Sequence, residues 1–132
     1  MSYNNYESLL DSIFTNHPNL ITSLDFDLLS HHEHVTTLLI DNYPNLRWNY
    51  QYLSSNPNVT LTYVLANSTR SWNYNWLAIN SSITWSDIQL ESGITWDPNY
   101  VCQNPNLTWT IINDNPDYRW KWLILYQNPA LQ

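Results

Sequence analysis

Four adjacent side chains, His31, His32, Glu33 and His34, form the densest group of potential metal ligands in the chain. In a helix, His31 and His34 would lie on one face because they are three residues apart. A zinc site usually needs three or four ligands in fixed geometry, and no second group of ligands in the sequence completes this one. We therefore favour a solvated turn over a metal site here, and we expect no metal and no cofactor.

Cys102 is the only cysteine, so it cannot form a disulfide within the chain. A reactive thiolate needs a neighbouring basic group that lowers the pKa of the thiol, and the sequence gives no reason to place one nearby. No pairing of a nucleophile with a base, and no pair of acids, recurs in the sequence. We expect Cys102 to lie on the exposed side of a helix, and we predict that the protein is not an enzyme.

The charge balance argues against a nucleic-acid partner. The 132 residues carry a net charge of −7, and the basic residues are only four and scattered: Arg47, Arg70, Arg119 and Lys121. Nucleic-acid-binding proteins usually cluster such residues. No apolar run reaches the ~18 residues of a membrane span, and residues 1–7 lack the basic and apolar regions of a signal peptide. We therefore expect an intracellular protein that binds neither nucleic acid nor membrane.

A period of 24 residues organises most of the chain. The chain contains 8 Trp, 10 Tyr and 19 Asn. Aliphatic residues precede the repeated threonines and recur at further fixed positions. Such self-similarity is the signature of a repeat protein, in which each unit covers the aromatic face of its neighbour. The three clearest columns are Thr36, Thr60, Thr84 and Thr108; Trp48, Trp72, Trp96 and Trp120; and Asn56, Asn80, Asn104 and Asn128.

We divide the single domain of residues 1–132 into a degenerate first unit, 9–34, and four regular units, 35–58, 59–82, 83–106 and 107–130. The end of the first unit aligns with the end of the second unit at the 24-residue spacing, as Leu29 aligns with Leu53. Its start matches at a step two residues longer, as Ile13 matches Leu39. An insertion of two residues near positions 20–23 accounts for the difference. One domain is what a chain of this length usually forms.

Each unit is predicted to contain two short helices. The first begins at the repeated threonine, whose hydroxyl suits an N-cap, and in the last unit it spans about 109–114, where Asn115 and Pro116 end it. The second begins just before the repeated tryptophan, with Ser71 and Thr95 as candidate N-caps. It ends at the repeated asparagine, a residue that tolerates a left-handed backbone conformation.

A β-containing solenoid is the alternative, because aromatic residues favour strands and a leucine-rich repeat also has a recurrent asparagine. Two columns that the leucine-rich template requires to be leucine contain mainly other residues; one of them contains Gln51, Asn75 and Asn99. Pro98 would also fall inside the strand. We therefore predict an all-α fold, a right-handed α-solenoid of about five 24-residue units with two helices each.

The best-preserved stretch runs from Asn104 to Trp109 as Asn-Pro-Asn-Leu-Thr-Trp, followed by Trp120 and Trp122 and by Asn128 with Pro129. It resembles the Asn-Pro-Asn-Ile-Thr-Trp and Trp-x-Trp tandem repeats in proteins of giant DNA viruses of the mimivirus type. The resemblance covers about residues 35–130 and implies a viral repeat scaffold in the host cytoplasm or the virion. It implies no catalytic residues.

The leading functional hypothesis is a non-enzymatic viral scaffold that binds a host or viral protein. Self-association through the C-terminal face is a further expectation, and the alternatives are a structural component of a virion or inclusion and a glycan-binding module that uses exposed Trp and Asn. The candidate partner-binding residues occupy three columns of the second helices: Gln51, Ser54, Ser55, Asn75, Ala78, Ile79, Asn99, Cys102, Gln103, Leu123, Tyr126 and Gln127.

Overall fold

A computed structural model describes residues 2–132, which form an all-α fold without a strand. The β-containing alternative is therefore wrong for this part of the chain. The α-helices are α1 Asn5–Asn16, α2 Phe26–His31, α3 Thr37–Asn42, α4 Tyr50–Leu53, α5 Leu61–Ala66, α6 Tyr74–Ala78, α7 Trp85–Leu90, α8 Pro98–Val101, α9 Trp109–Asp114 and α10 Trp122–Gln127. Two 3₁₀ helices cover Pro18–Ser23 and Pro129–Leu131.

The helices from α3 onward begin at positions that recur with the period of the sequence. The first helices of the four units, α3, α5, α7 and α9, each have six residues and start in register. The second helices, α4, α6, α8 and α10, start in register as well. Isolated helices of one or two turns are unstable in water, so packing between neighbouring helices must hold them.

The repeated threonines begin the first helices as predicted. The hydroxyls of Thr60, Thr84 and Thr108 each accept the backbone N–H three residues later. Thr36 also precedes its helix, but its hydroxyl donates to Oε2 of Glu7 at 2.5 Å instead. The same carboxylate oxygen accepts the backbone N–H of Thr36, which ties α1 to the start of α3.

The second helices begin two residues later than predicted. Ser71 and Thr95 are not their N-caps; the side chains of Asn49, Asn73 and Asp97 are. The repeated tryptophan comes directly before this cap, so it lies outside the helix. Amide and carboxylate oxygens are good N-cap acceptors, which explains the residue types at these three positions. Lys121, at the equivalent position before α10, makes no side-chain cap.

The repeated tryptophans anchor each second helix to the turn that ends the first. The indole Nε1 of Trp48, Trp72 and Trp120 donates to the carbonyl five residues earlier, at 2.8 to 2.9 Å. Trp96 breaks the pattern, because its buried Nε1 has no hydrogen-bond partner. In that unit the backbone at Glu91 ends α7 with different dihedral angles, and its carboxylate accepts the N–H of Gly93.

The repeated asparagines are buried. They do not use the left-handed backbone conformation that asparagine tolerates, because no residue among 2–132 has a positive φ angle. Each amide instead links its unit to the preceding one. Asn80 Nδ2 donates to the carbonyls of Ser54 and Asn56, both at 2.9 Å, while its Oδ1 accepts the N–H of Ser82. We call the series Asn56, Asn80, Asn104 and Asn128 the asparagine ladder, since all four donate to carbonyls of the unit before.

The buried apolar residues form two clusters, one reaching from Leu10 to Val101 and the other from Cys102 to Leu131. Trp85 and Tyr118 pack against both clusters. No helix within residues 2–132 combines the length and the apolar character that crossing a membrane requires.

Candidate functional site

The histidine segment lies where α2 ends and the chain turns toward α3. The ring of His32 stacks on Tyr6 with centroids 4.3 Å apart, and His34 lies 4.0 Å from the carboxylate of Glu33. Across residues 2–132, no group of three or more histidine, cysteine or acidic side chains is placed to hold a metal ion. Through the ring of His32, the segment packs against Tyr6 of α1.

Eight of the twelve candidate partner-binding residues are exposed, and Ile79 is half-buried. The remaining three, Ser54, Ala78 and Cys102, are 0% exposed, so the prediction that these three side chains face solvent is wrong. A buried side chain cannot contact a partner, and these three leave the candidate surface. The exposed residues are Gln51, Ser55, Asn75, Asn99, Gln103, Leu123, Tyr126 and Gln127.

The physical reason for the correction is a hydrogen bond between successive units. The Oγ of Ser54 accepts the backbone N–H of Asn73 at 2.9 Å, and the Sγ of Cys102 accepts that of Lys121 at 3.3 Å. The next unit therefore covers these side chains. An angular plot of one helix cannot reveal this contact.

Cys102 has the environment of a structural thiol. Burial raises its pKa, and the hydrogen bond from the backbone of Lys121 opposes this only in part. A raised pKa keeps the side chain as the thiol, which is the unreactive form at neutral pH.

Two half-buried aromatic side chains, Tyr52 and Trp76, contribute to the surface. Tyr52 lies between His31 and Trp76, with ring centroids 5.6 and 5.4 Å away. These rings, with Ser55 and Ile79, line a shallow cleft of about 300 Å³. The sequence carries a signal for this column, because its members recur with the period of the units: Leu28, Tyr52, Trp76, Tyr100 and Ile124.

A second cleft, of about 340 Å³, lies near the end of the chain and is lined by members of the same columns together with Asn128 and Pro129. Gln103 and Gln127 occupy the column of Ser55, and Ile124 occupies that of Tyr52. We define the second-helix surface as the eight exposed candidates together with the half-buried Tyr52, Trp76, Ile79 and Ile124. Its clefts recur along the chain, and its side chains are uncharged.

The C-terminal end of this surface is the most apolar part. Leu123 and Tyr126 are 80% and 63% exposed, and the neighbouring Trp122, outside the defined surface, is 53% exposed. Tyr126 belongs to the column whose earlier members are fully buried, and no unit covers it in residues 2–132. Gln132 Nε2 donates to the carbonyls of Tyr126 and Asn128 at 2.8 and 3.2 Å, where a further ladder asparagine would donate.

No protein-family model, curated protein or solved structure matches this chain. The arrangement of its own side chains is therefore the basis for assigning a function. That arrangement is an extended, uncharged and partly aromatic surface on an all-α fold.

Proposed function

We propose that the protein is a non-enzymatic scaffold that binds a protein partner through its second-helix surface. The observation that carries this proposal is the recurrence of shallow clefts from the same columns, first around Tyr52 and Trp76 and again around Ile124. A surface built this way can contact an extended partner at several equivalent points. The viral origin implied by the tandem-repeat resemblance makes a viral or host protein the expected partner.

The architecture that we propose for this scaffold is a right-handed α-solenoid of about five 24-residue units. Its support is the regular start of the helices and the asparagine ladder, whose amides join each unit to the one before. The column of Ser54 adds a second link, since Ser30 and Ser54 accept backbone N–H groups 19 residues later. Repeated local links of this kind are how stacked units gain stability.

The chemistry of the surface favours hydrogen bonds and stacking over ion pairs. Amide side chains such as Gln51, Asn75 and Gln103 offer donors and acceptors, and Tyr52 and Trp76 offer ring faces. Since none of these groups is charged, binding should depend little on salt, because salt screens charge–charge attraction and not these contacts.

The test is affinity capture of the partner followed by binding of the purified pair. We expect Ser55→Arg with Gln103→Arg to weaken binding at least tenfold, because each places a charge in a cleft. The control is Thr62→Arg with Asn113→Arg, two exposed positions on first helices, which should bind as the unaltered protein does. Equal binding by both double variants would overturn the proposed surface.

Self-association is a second candidate function, and the exposure of Trp122, Leu123 and Tyr126 favours it. Exposed apolar patches often mark contacts between proteins. Residues 107–132 contain two aspartates, one arginine and one lysine, so two copies would meet there without net repulsion. We expect Leu123→Ser with Tyr126→Ser to reduce the mass measured by light scattering to that of a monomer. An unaltered protein that is already monomeric at high concentration would exclude this candidate.

A further inference from the structure

A cleft of about 320 Å³ lies between α7 and the turn that follows α9, and no second-helix residue lines it. Its walls combine two aromatic rings with acidic and amide side chains. Trp85 and Gln89 come from α7, whereas Asp114, Asn115, Asp117 and Tyr118 come from the end of α9 and the turn. The cleft is thus separate from the surface assigned to protein binding.

The two rings form a corner. The centroids of Trp85 and Tyr118 are 5.0 Å apart and their planes meet at 87°. Trp120 is buried and lies 5.1 Å from Trp85 and 4.6 Å from Tyr118, so it supports both rings. In such a pair the edge of one ring lies against the face of the other, and both rings line the cleft. A ring face that lines a cleft can attract a cation.

The rim of the cleft carries negative charge, and no basic side chain lies within 4.0 Å of its carboxylates among residues 2–132. Asp114 and Asp117 are both exposed. The one pair of oppositely charged groups within 4.0 Å among residues 2–132 is His34 with Glu33, so neither aspartate forms an ion pair. The amide of Gln89 donates to Asn115 at 3.1 Å and joins the two walls.

The aromatic corner is not a requirement of the repeat. The positions equivalent to Trp85 and Tyr118 are Leu61 and Ile94 one junction earlier in the series, and Thr37 and Arg70 at the junction before that. Neither of these two equivalent pairs is aromatic. The combination of rings and acids is specific to the junction between α7 and α9.

We propose that this cleft binds an alkylated ammonium group, as carried by a choline-type molecule or by a methylated lysine side chain. Such a cation gains attraction from ring faces and from the nearby carboxylates, and it needs few hydrogen-bond acceptors because it has few or no N–H groups. The inference is independent of the proposed protein-binding surface, since the two share no residue.

The test is calorimetric titration of the whole chain with choline and, as the control, with 3,3-dimethylbutan-1-ol, which has the same shape without the charge. We expect choline to bind at least tenfold more tightly and to shift the nuclear magnetic resonance signal of the Trp85 indole. Equal binding of the two compounds, or binding of neither choline nor a trimethyl-lysine peptide, would overturn the proposal. Preference for the peptide over choline would assign the source of the cation to a protein.

Variants locate the site. Trp85→Leu, which introduces the residue type found at position 61, should abolish choline binding, whereas Trp109→Leu at the equivalent position one unit later should leave it unchanged. Tyr118→Phe keeps the ring face and should bind normally. The double variant Asp114→Asn with Asp117→Asn should weaken choline binding more than about threefold without disturbing the core. It therefore tests the site even if Trp85→Leu fails to fold. Full binding by the aspartate variant would contradict the role of the carboxylates.

Discussion

The hydroxyl oxygen of Ser54 accepts the backbone N–H of Asn73 at 2.9 Å, across 19 residues of sequence. At the next junction the same position is Ala78, whose methyl group cannot accept the N–H of Asp97. We expect Ala78→Ser to raise the free energy of unfolding by about 1 kcal/mol, the usual net gain from one hydrogen bond. Urea denaturation measures it. Ser54→Ala is the matched control and should lower stability; a destabilised Ala78→Ser would contradict this explanation.

Asn104 should be among the most sensitive polar residues. Its amide donates to the carbonyls of Ala78 and Ile83, and its Oδ1 accepts the N–H of Asn106. Asn104→Ala leaves the Ala78 carbonyl and the Asn106 N–H without these partners, at about 1 to 3 kcal/mol for each group. The Ile83 carbonyl still accepts from Asn106 Nδ2 at 2.7 Å. We expect a loss of at least about 2 kcal/mol in urea denaturation. The exposed Asn99→Ala should change stability by less than about 0.5 kcal/mol.

Substitution of Trp72 by alanine should lower stability far more than the same substitution of Trp122. Trp72 is 7% exposed and donates its indole N–H to Asn67, whereas Trp122 is 53% exposed. Trp72→Ala leaves a large cavity and should cost about 3 to 5 kcal/mol, enough to unfold much of the chain. Thermal melting followed by circular dichroism measures this. A melting curve for Trp72→Ala that matches that of Trp122→Ala would count against a core built on the tryptophan column.

Cys102 should react slowly with thiol reagents in the folded protein. It is 0% exposed and burial raises its pKa, so little thiolate forms at neutral pH. We expect labelling to be at least a hundredfold slower than in urea, where the thiol is free. Rapid labelling of the native chain would show that the contact with Lys121 opens readily.

Three half-buried tyrosines predict a loss of stability at alkaline pH. Burial raises the pKa of Tyr50, Tyr63 and Tyr118 above the ordinary value of 10.0, and Asp41 adds to the effect at Tyr63 through a hydrogen bond. The unfolded chain therefore releases these protons first. Stability from the three phenols is complete below about pH 10 and falls as the pH rises further. Urea midpoints at pH 8 and 11 check this, with Tyr63→Phe as the variant whose decline should be smaller.

The fold class follows from the period and from the caps. Thr60 and Thr108 begin helices because of their hydroxyls, and α9 spans Trp109–Asp114, so that it ends at Asn115 and Pro116 as predicted. These features act within a few residues of sequence. For that reason the sequence alone is enough to predict them.

The buried column of Ser54 and Cys102 could not be predicted, because its burial depends on the neighbouring unit. The role of Asn80 was missed for the same reason: its amide binds carbonyls 24 and 26 residues away. An asparagine at a helix end suggests a left-handed turn when only local structure is considered. The aromatic corner of Trp85 and Tyr118 likewise joins residues from two different units.

The asparagine ladder also limits how such a chain can change in length. An extra residue between Asn80 and Asn104 would move the Asn104 amide away from the carbonyls that it binds. Duplication of one whole unit would instead add a new asparagine together with the carbonyls that it needs. The two extra residues of the first unit agree with this, since they fall near the 3₁₀ helix Pro18–Ser23, before the first ladder contact at Ser30. Duplication and loss of whole units are thus the changes that natural selection can accept most readily.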